Sequence, residues 1–244
     1  MSRDTFHAVE IVEWQTVKIT DDFTEVLSSN KWATTAPYSG SAAVGDGPDG
    51  VLTILPSDAS VGNNEDAYVA CAKQVFLVTG GAGTGKPLYA RAQMLFLEAG
   101  INNACNVIFG FMSGVGANAL IDNGGGPAVA TTLAVIYKID GGTTWRVQSR
   151  NGTEFTDTIT TLTASDANYH LFEVLIHDYT PTRCQITYKV DGQFLKDSVF
   201  NKPIVHQLLV AASANMSVFA GLKNGEVSTV EQLLVDRIYA DTLR

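Results

Sequence analysis

Apolar and polar side chains alternate with a period of two along much of this chain. Leu88, Ala90, Ala92, Met94 and Phe96 are separated by Tyr89, Arg91 and Gln93. That spacing puts one set on each face of an extended segment and predicts a half-buried β-strand. Helical spacing (Leu88, Ala92, Leu95) is matched only in places. Further on, Cys184, Ile186, Tyr188 and Val190 alternate with Arg183, Gln185, Thr187 and Lys189. Asp191-Gly192 interrupts, and Gln193-Phe194-Leu195 resumes. Asp-Gly suits a type I′ turn, whose twist matches the strands it joins, so a hairpin is predicted here. A second hairpin is predicted where 132–139 runs into Asp140-Gly141-Gly142 and Thr144-Trp145-Arg146-Val147 returns. The extra glycine points to a longer turn or a bulge.

Other strand candidates lie at 10–20, 50–55, 67–78, 106–112, 156–163, 169–177, 204–212 and 229–239. Turn-forming clusters separate them, such as Ser39-Gly40-Ser41, the run 45–50, and Asp122-Asn123-Gly124-Gly125-Gly126-Pro127. Many short strands with glycine punctuation predict an all-β fold, a two-sheet antiparallel jelly-roll sandwich. No tandem repeat or Pro/Ser linker divides the chain. The expected organisation is one domain over 21–244, preceded by a short N-terminal arm or edge strand over 1–20. The apolar-rich stretch Phe6-His7-Ala8-Val9-Glu10-Ile11-Val12-Glu13-Trp14 gives that arm its character. It reads either as an ordinary edge strand or as an arm that adds to a neighbouring subunit.

With 244 residues, 45% hydrophobic and 17% charged, the chain can bury a sizeable core. Its net charge of −9 makes nucleic acid a poor partner, because affinity there comes largely from neutralising phosphates. No apolar stretch is long enough to predict a membrane-spanning helix, and the N-terminus does not open a signal peptide. The sequons at Asn151 and Asn215 are therefore expected to carry no glycan. Cys71, Cys105 and Cys184 are odd in number and far apart, which predicts free, mostly buried thiols of a chain made in a reducing cytoplasm.

One motif comes close to a phosphate-binding loop. Gly80-Gly81-Ala82-Gly83-Thr84-Gly85-Lys86-Pro87 follows the apolar run Gln74-Val75-Phe76-Leu77-Val78. The loop needs a hydroxyl after the lysine to hold Mg²⁺ and a helix behind it. Pro87 has no hydroxyl and no N–H, and it disfavours helix at Lys86. The expected structure is strand, glycine loop, strand, a hairpin with Lys86 exposed near its tip and without a catalytic role. His7, His170, His177 and His206 show no zinc spacing. His170 shares its strand face with Phe172, Val174 and Ile176, which predicts a core histidine, with His177 on the opposite face. No Gly-x-Ser-x-Gly motif marks a nucleophile. Trp14, Trp32 and Trp145 are expected in core or edge packing rather than stacked on sugars.

The order of features resembles a known family. It runs from Asp22-Phe23 and Trp32 through Gly50-Val51-Leu52-Thr53-Ile54, Leu88-Tyr89-Ala90-Arg91-Ala92 and Val107-Ile108-Phe109-Gly110-Phe111. Tyr169-His170-Leu171-Phe172-Glu173-Val174, Tyr188-Lys189-Val190-Asp191-Gly192 and Leu234-Val235-Asp236-Arg237-Ile238-Tyr239 complete it. Over residues 20–244 this resembles the concanavalin A-like lectin/glucanase (laminin-G-like) jelly-roll superfamily, of the kind found in tailed-phage virion proteins. The resemblance implies a sandwich of two curved antiparallel sheets that binds glycans, cleaves them, or attaches to a particle. The glucanase branch carries E-x-D-x-x-E on one strand. No stretch here matches: Glu10 and Glu13 fall on opposite faces, Glu65-Asp66 sit in a loop and Glu173 stands alone.

Lectin branches often hold Ca²⁺ with loop oxygens. Asn63-Asn64-Glu65-Asp66 and Asp122-Asn123 offer such atoms, although turn chemistry explains them as well. The expectation is a non-enzymatic virion structural protein without cofactor, a capsid decoration or cement protein on a bacteriophage head. Its partners would be the major capsid protein or neighbouring virion subunits, and it would form a homo-oligomer, a trimer at threefold positions. The alternative is a glycan-binding module at a tail or host-contact surface.

Overall fold

The computed structural model describes residues 17–25, 27–45, 50–57, 62–78, 85–97, 104–129, 131–152, 154–164, 168–210, 214–225 and 231–242. The arm stretch 6–14, with Trp14 and His7, and the glycine run 80–84 lie outside them. All regular structure among these residues is β, and every strand pair is antiparallel. The first sheet contains β1 (Lys18–Asp21), β3 (Ser41–Gly45), β4 (Val51–Leu55), β7 (Leu88–Leu97), β14 (His170–His177), β15 (Arg183–Val190), β16 (Gln193–Phe194), β17 (Val205–Leu209) and β19 (Gln232–Thr242). The second contains β2 (Trp32–Thr35), β5 (Asp66–Cys71), β6 (Phe76–Val78), β8 (Asn106–Met112), β11 (Leu133–Lys138), β12 (Thr144–Asn151), β13 (Glu154–Thr163) and β18 (Ala214–Lys223). A small ribbon pairs β9 (Leu120–Ile121) with β10 (Gly126–Pro127). This is the two-sheet antiparallel sandwich expected from the alternation.

The period-two pattern explains how the sheets pack. On β7 the residues Leu88 to Phe96 at even positions are buried, and they face Val107, Phe109 and Phe111 of β8 in one core. Trp145 of β12 stands edge-on to Phe96 and Phe172 of the opposite sheet, with ring centroids 5.7 and 4.7 Å away. Trp32 is buried too, and its indole N–H donates to Asp21 Oδ2 at 2.7 Å. Cys71, Cys105 and Cys184 are buried and form no disulfide. Burial pushes the Cys184 thiol up to about 12.

The second sheet also buries part of its outer face. Tyr68, Ile108, Met112, Leu133, Val135, Tyr137 and Phe219 lie there under Ala119 and Leu120 of the segment 113–129. Strands covered on both faces do not alternate. On β18, central in this sheet, Met216, Val218, Ala220 and Leu222 face the core, while the buried Phe219 interrupts the polar face of Asn215, Ser217 and Gly221 and blurs the period-two signature.

The Asp191-Gly192 hairpin forms as expected, with positive φ at both residues (52° and 74°), as a type I′ turn requires. The hairpin between β11 and β12 also forms, with its longer turn bearing Gly141 at φ 69°. Two expectations need correction. The stretch 67–78 is not one strand. It breaks over 72–75, and β5 and β6 pair separately with β18. The glycine loop does not join a hairpin either. β6 finds its hydrogen bonds on β18, whereas β7 pairs with β14 and β19 in the other sheet, so the chain crosses between sheets there.

Gly110 lies mid-strand on β8 with φ +146°, and a Cβ on it would sit 2.3 Å from the carbonyl oxygen of Ala134 on β11. The atoms it would meet, Ala134 O, Ala134 C and Val135 Cα, are all backbone of β11, so no flexible side chain can give way. Gly110→Ala is expected to cost about 2 kcal/mol by overpacking. Urea unfolding of the variant checks this, and an unchanged midpoint would contradict the close approach.

Candidate functional site

The covering segment over 113–129 lies on the outer face of the second sheet above β5, β18, β8 and β11. Beyond it, β12 and β13 turn a polar strip outward. Trp145 and Val147 of β12 point into the core, so the intervening Arg146, Gln148 and Arg150 share the outer face. Strand register sets their neighbours. Arg146 lies between Tyr137 of β11 and Ile159 of β13, Gln148 opposite Asp157, and Arg150 opposite Phe155.

Within the strip, Arg146 Nη2 meets Asp157 Oδ2 at 2.5 Å, and Tyr137 Oη donates to Asp157 Oδ1 at 2.9 Å. Burial pulls the Arg146 guanidinium down, but its hydrogen bond and charge pairing with Asp157 outweigh that and raise its pKa. Burial first, and the Asp157 carboxylate second, raise the Tyr137 phenol. The Arg150 guanidinium lies 4.4 Å from the Phe155 ring centroid, and its Nη1 donates to Val129 O at 3.3 Å. Phe155 and Ile159 remain 55% and 44% exposed, large values for apolar side chains beside such a polar row.

Three buried polar atoms here have no hydrogen-bond partner: Arg146 Nε, Gln148 Oε1 and Arg150 Nε. Buried polar atoms are nearly always paired with protein or water, and here three at alternate positions of one strand have no partner within the protein. The strip offers planar N–H donors, an amide acceptor, a carboxylate and an aromatic ring. That set suits a ligand rich in hydroxyls with an apolar ring face.

The two segments flagged for Ca²⁺ meet at the other end of this face. Asn123 N donates to Asn64 Oδ1 at 2.8 Å, and Asn64 and Asn123 take the turn conformations φ 68° and 54°. Asp66 and Asp122 converge not on a gap but on the Lys223 ammonium, which reaches Asp122 Oδ1 at 2.5 Å and lies 3.6 Å from Asp66 Oδ2. Among the described residues, no group of three or more His, Cys, Asp or Glu side chains is placed to hold a metal ion. Glu65 stays in its loop, where its Oε2 accepts from Gly62 N at 2.9 Å.

Lys86 is exposed and Pro87 leads straight into β7, so no helix follows the glycine run. His170 is not a core residue. It sits at the start of β14, half-buried, where its Nδ1 lies 2.6 Å from Asp191 Oδ2 of the hairpin turn, because the core face begins only at Phe172. His177 Nδ1 pairs with Asp178 Oδ2 at 2.9 Å. His206 is the buried histidine, held among Ser149, Thr158 and Tyr188. Glu173 accepts from the Tyr89 hydroxyl at 2.5 Å on the outer face of the first sheet. A concavity of about 300 Å³ by Asp21, Asp22 and Glu25 is partly closed by Lys31, whose ammonium is 2.8 Å from Asp21 Oδ2.

Sequence reading missed the strip because its members are scattered over β11, β12 and β13. The Arg-x-Gln-x-Arg row at 146–150 was its one local signal, three long polar side chains at alternate positions of one strand.

No protein-family model matches the chain, and no curated protein matches it in sequence. Solved structures do match in shape. The endo-1,3-β-glucanase of Streptomyces sioyaensis superposes with a TM-score of 0.58 at 16% identity, covering 93% of this chain and 95% of that one. The carbohydrate recognition domain of Emp47p gives 0.55 at 11%, covering 92% and 94%. The lectin UEA-II complexed with galactose gives 0.51 at 10%, covering 93% and 99%. Two antiparallel sheets in this order, matched over nearly their whole length by lectins and a glucanase, give the chain the concanavalin A-like lectin/glucanase jelly-roll fold.

Proposed function

We propose that this protein is a glycan-binding module and that the outer strip of β12 and β13 is its binding surface. The observation that carries the reading is the row of unpartnered buried atoms on Arg146, Gln148 and Arg150 beside the exposed Phe155. The lectin neighbours support it, and they favour glycan binding over the capsid decoration role expected from the sequence. Binding without cleavage fits the strip best. Asp157 is engaged by Arg146 and Tyr137, and retaining hydrolysis needs two carboxyls about 5 Å apart.

The test is a screen of immobilised glycans and polysaccharides with the wild-type protein, Arg150→Ala, and Tyr239→Ala on the outer face of the first sheet. Arg150→Ala is expected to weaken binding about tenfold or more, as loss of a buried anchor does, while Tyr239→Ala leaves it unchanged. Equal binding by the wild type and Arg150→Ala, with loss in Tyr239→Ala, would move the site to the other sheet.

A further inference from the structure

We infer that the pocket between β5, β18 and the covering segment is a cation site whose occupant is the chain's own Lys223 ammonium. Lys223 is fully buried and so is Asp66. An ammonium has three protons to donate, and here each has an oxygen: Asp122 Oδ1 at 2.5 Å, Asn118 Oδ1 at 2.6 Å and Leu120 O at 2.9 Å. Asp66 adds a second carboxylate 3.6 Å away. Two carboxylates, a side-chain amide oxygen and a backbone carbonyl form the oxygen set that a hard cation takes.

The surroundings point the same way. Asp66 Oδ2 accepts from Asn118 N at 2.6 Å, but its Oδ1 is buried without a hydrogen-bond partner. Two carboxylates around one lysine leave the pocket with one excess negative charge, whereas a divalent ion would balance it. Asp122 is half-exposed, so solvent can reach the pocket and complete an ion's coordination. Residues 118–122 are thereby pinned to the outer face of the second sheet, with Ala119 and Leu120 seated on its apolar cluster. A lysine reaching in from β18 does what a bound metal would do, and the order of this segment becomes independent of metal supply.

The proposal predicts that emptying the lysine position creates a metal site. The thermal midpoint is measured for the wild type, Lys223→Ala and Lys223→Met, each in EDTA and in millimolar CaCl₂. The wild type is expected to melt at the same temperature in both. Lys223→Ala should melt lower in EDTA and be restored by CaCl₂, or refold only in CaCl₂. Lys223→Met fills the volume without charge and should melt lower in both. The proposal is overturned if Lys223→Ala behaves alike in the two buffers or refolds in neither. It is also overturned if CaCl₂ stabilises the wild type and Asp122→Asn removes that gain.

Discussion

Trp145→Ala is expected to destabilise the protein by about 4 kcal/mol, the scale for deleting a fully buried large aromatic. Trp145 is 2% exposed and is the ring through which β12 meets the opposite sheet, edge-on to both Phe96 and Phe172. Its removal loses the apolar contacts and both ring pairs, and leaves a cavity between two sheets that hydrogen-bonded strands keep from collapsing. Trp145→Phe keeps part of the ring volume and should recover about half of the loss. Urea unfolding of the three proteins at neutral pH measures this. A Trp145→Ala midpoint close to that of the wild type would contradict the packing described.

The second large effect is a loss of stability in mild acid. His206 is buried, with Nδ1 3.1 Å from Ser149 Oγ and 3.3 Å from Tyr188 Oη, and Nε2 3.0 Å from Thr158 Oγ1. Burial holds the ring neutral and pulls its pKa from 6.5 down to about 4, against a weaker upward pull from the Asp157 carboxylate. In the unfolded chain the ring titrates at its ordinary value. Between those two values the unfolded chain binds a proton that the native protein refuses. Stability is therefore intact above pH 6.5, falls as the pH drops towards 4, and loses nothing more from this group below that. The gap corresponds to about 3 kcal/mol. Carboxylates add their own slope, so the test is the difference between the wild type and His206→Asn across this range. Parallel curves for the two proteins would contradict a neutral buried ring.

Much of the sandwich was readable because half-buried strands advertise themselves. β7, β14 and β15 alternate because one face meets the core and the other meets water. Asp191-Gly192 announced its turn because few residue pairs accept positive φ twice. β18 was missed because the apolar Phe219, buried under the covering segment, interrupts the polar face of Asn215, Ser217 and Gly221. The crossing from β6 to β7 was unreadable because strand, glycines, strand describes a hairpin and a change of sheet equally well.

The candidate site was less legible. Asn64, Asp66, Asp122 and Asn123 were singled out as oxygen donors and do come together, Asn64 with Asn123, but the lysine that lies between Asp66 and Asp122 is 101 residues beyond Asp122, at position 223. Neither Arg150 stacked on Phe155 nor Asp157 under Arg146 follows from local sequence. Both depend on the register of β12 against β13.

The most direct measurement is an NMR titration of arginine-labelled protein with the glycan that scores highest in the binding screen, following the side-chain Nε–H signals. If the strip is the binding surface, the Arg146 and Arg150 signals shift together and saturate with the ligand, because the ligand settles against both guanidinium groups. If a glycan binds and those two signals stay still while arginines elsewhere move, the strip is not the site. If no glycan binds at all, the glycan-binding account is wrong.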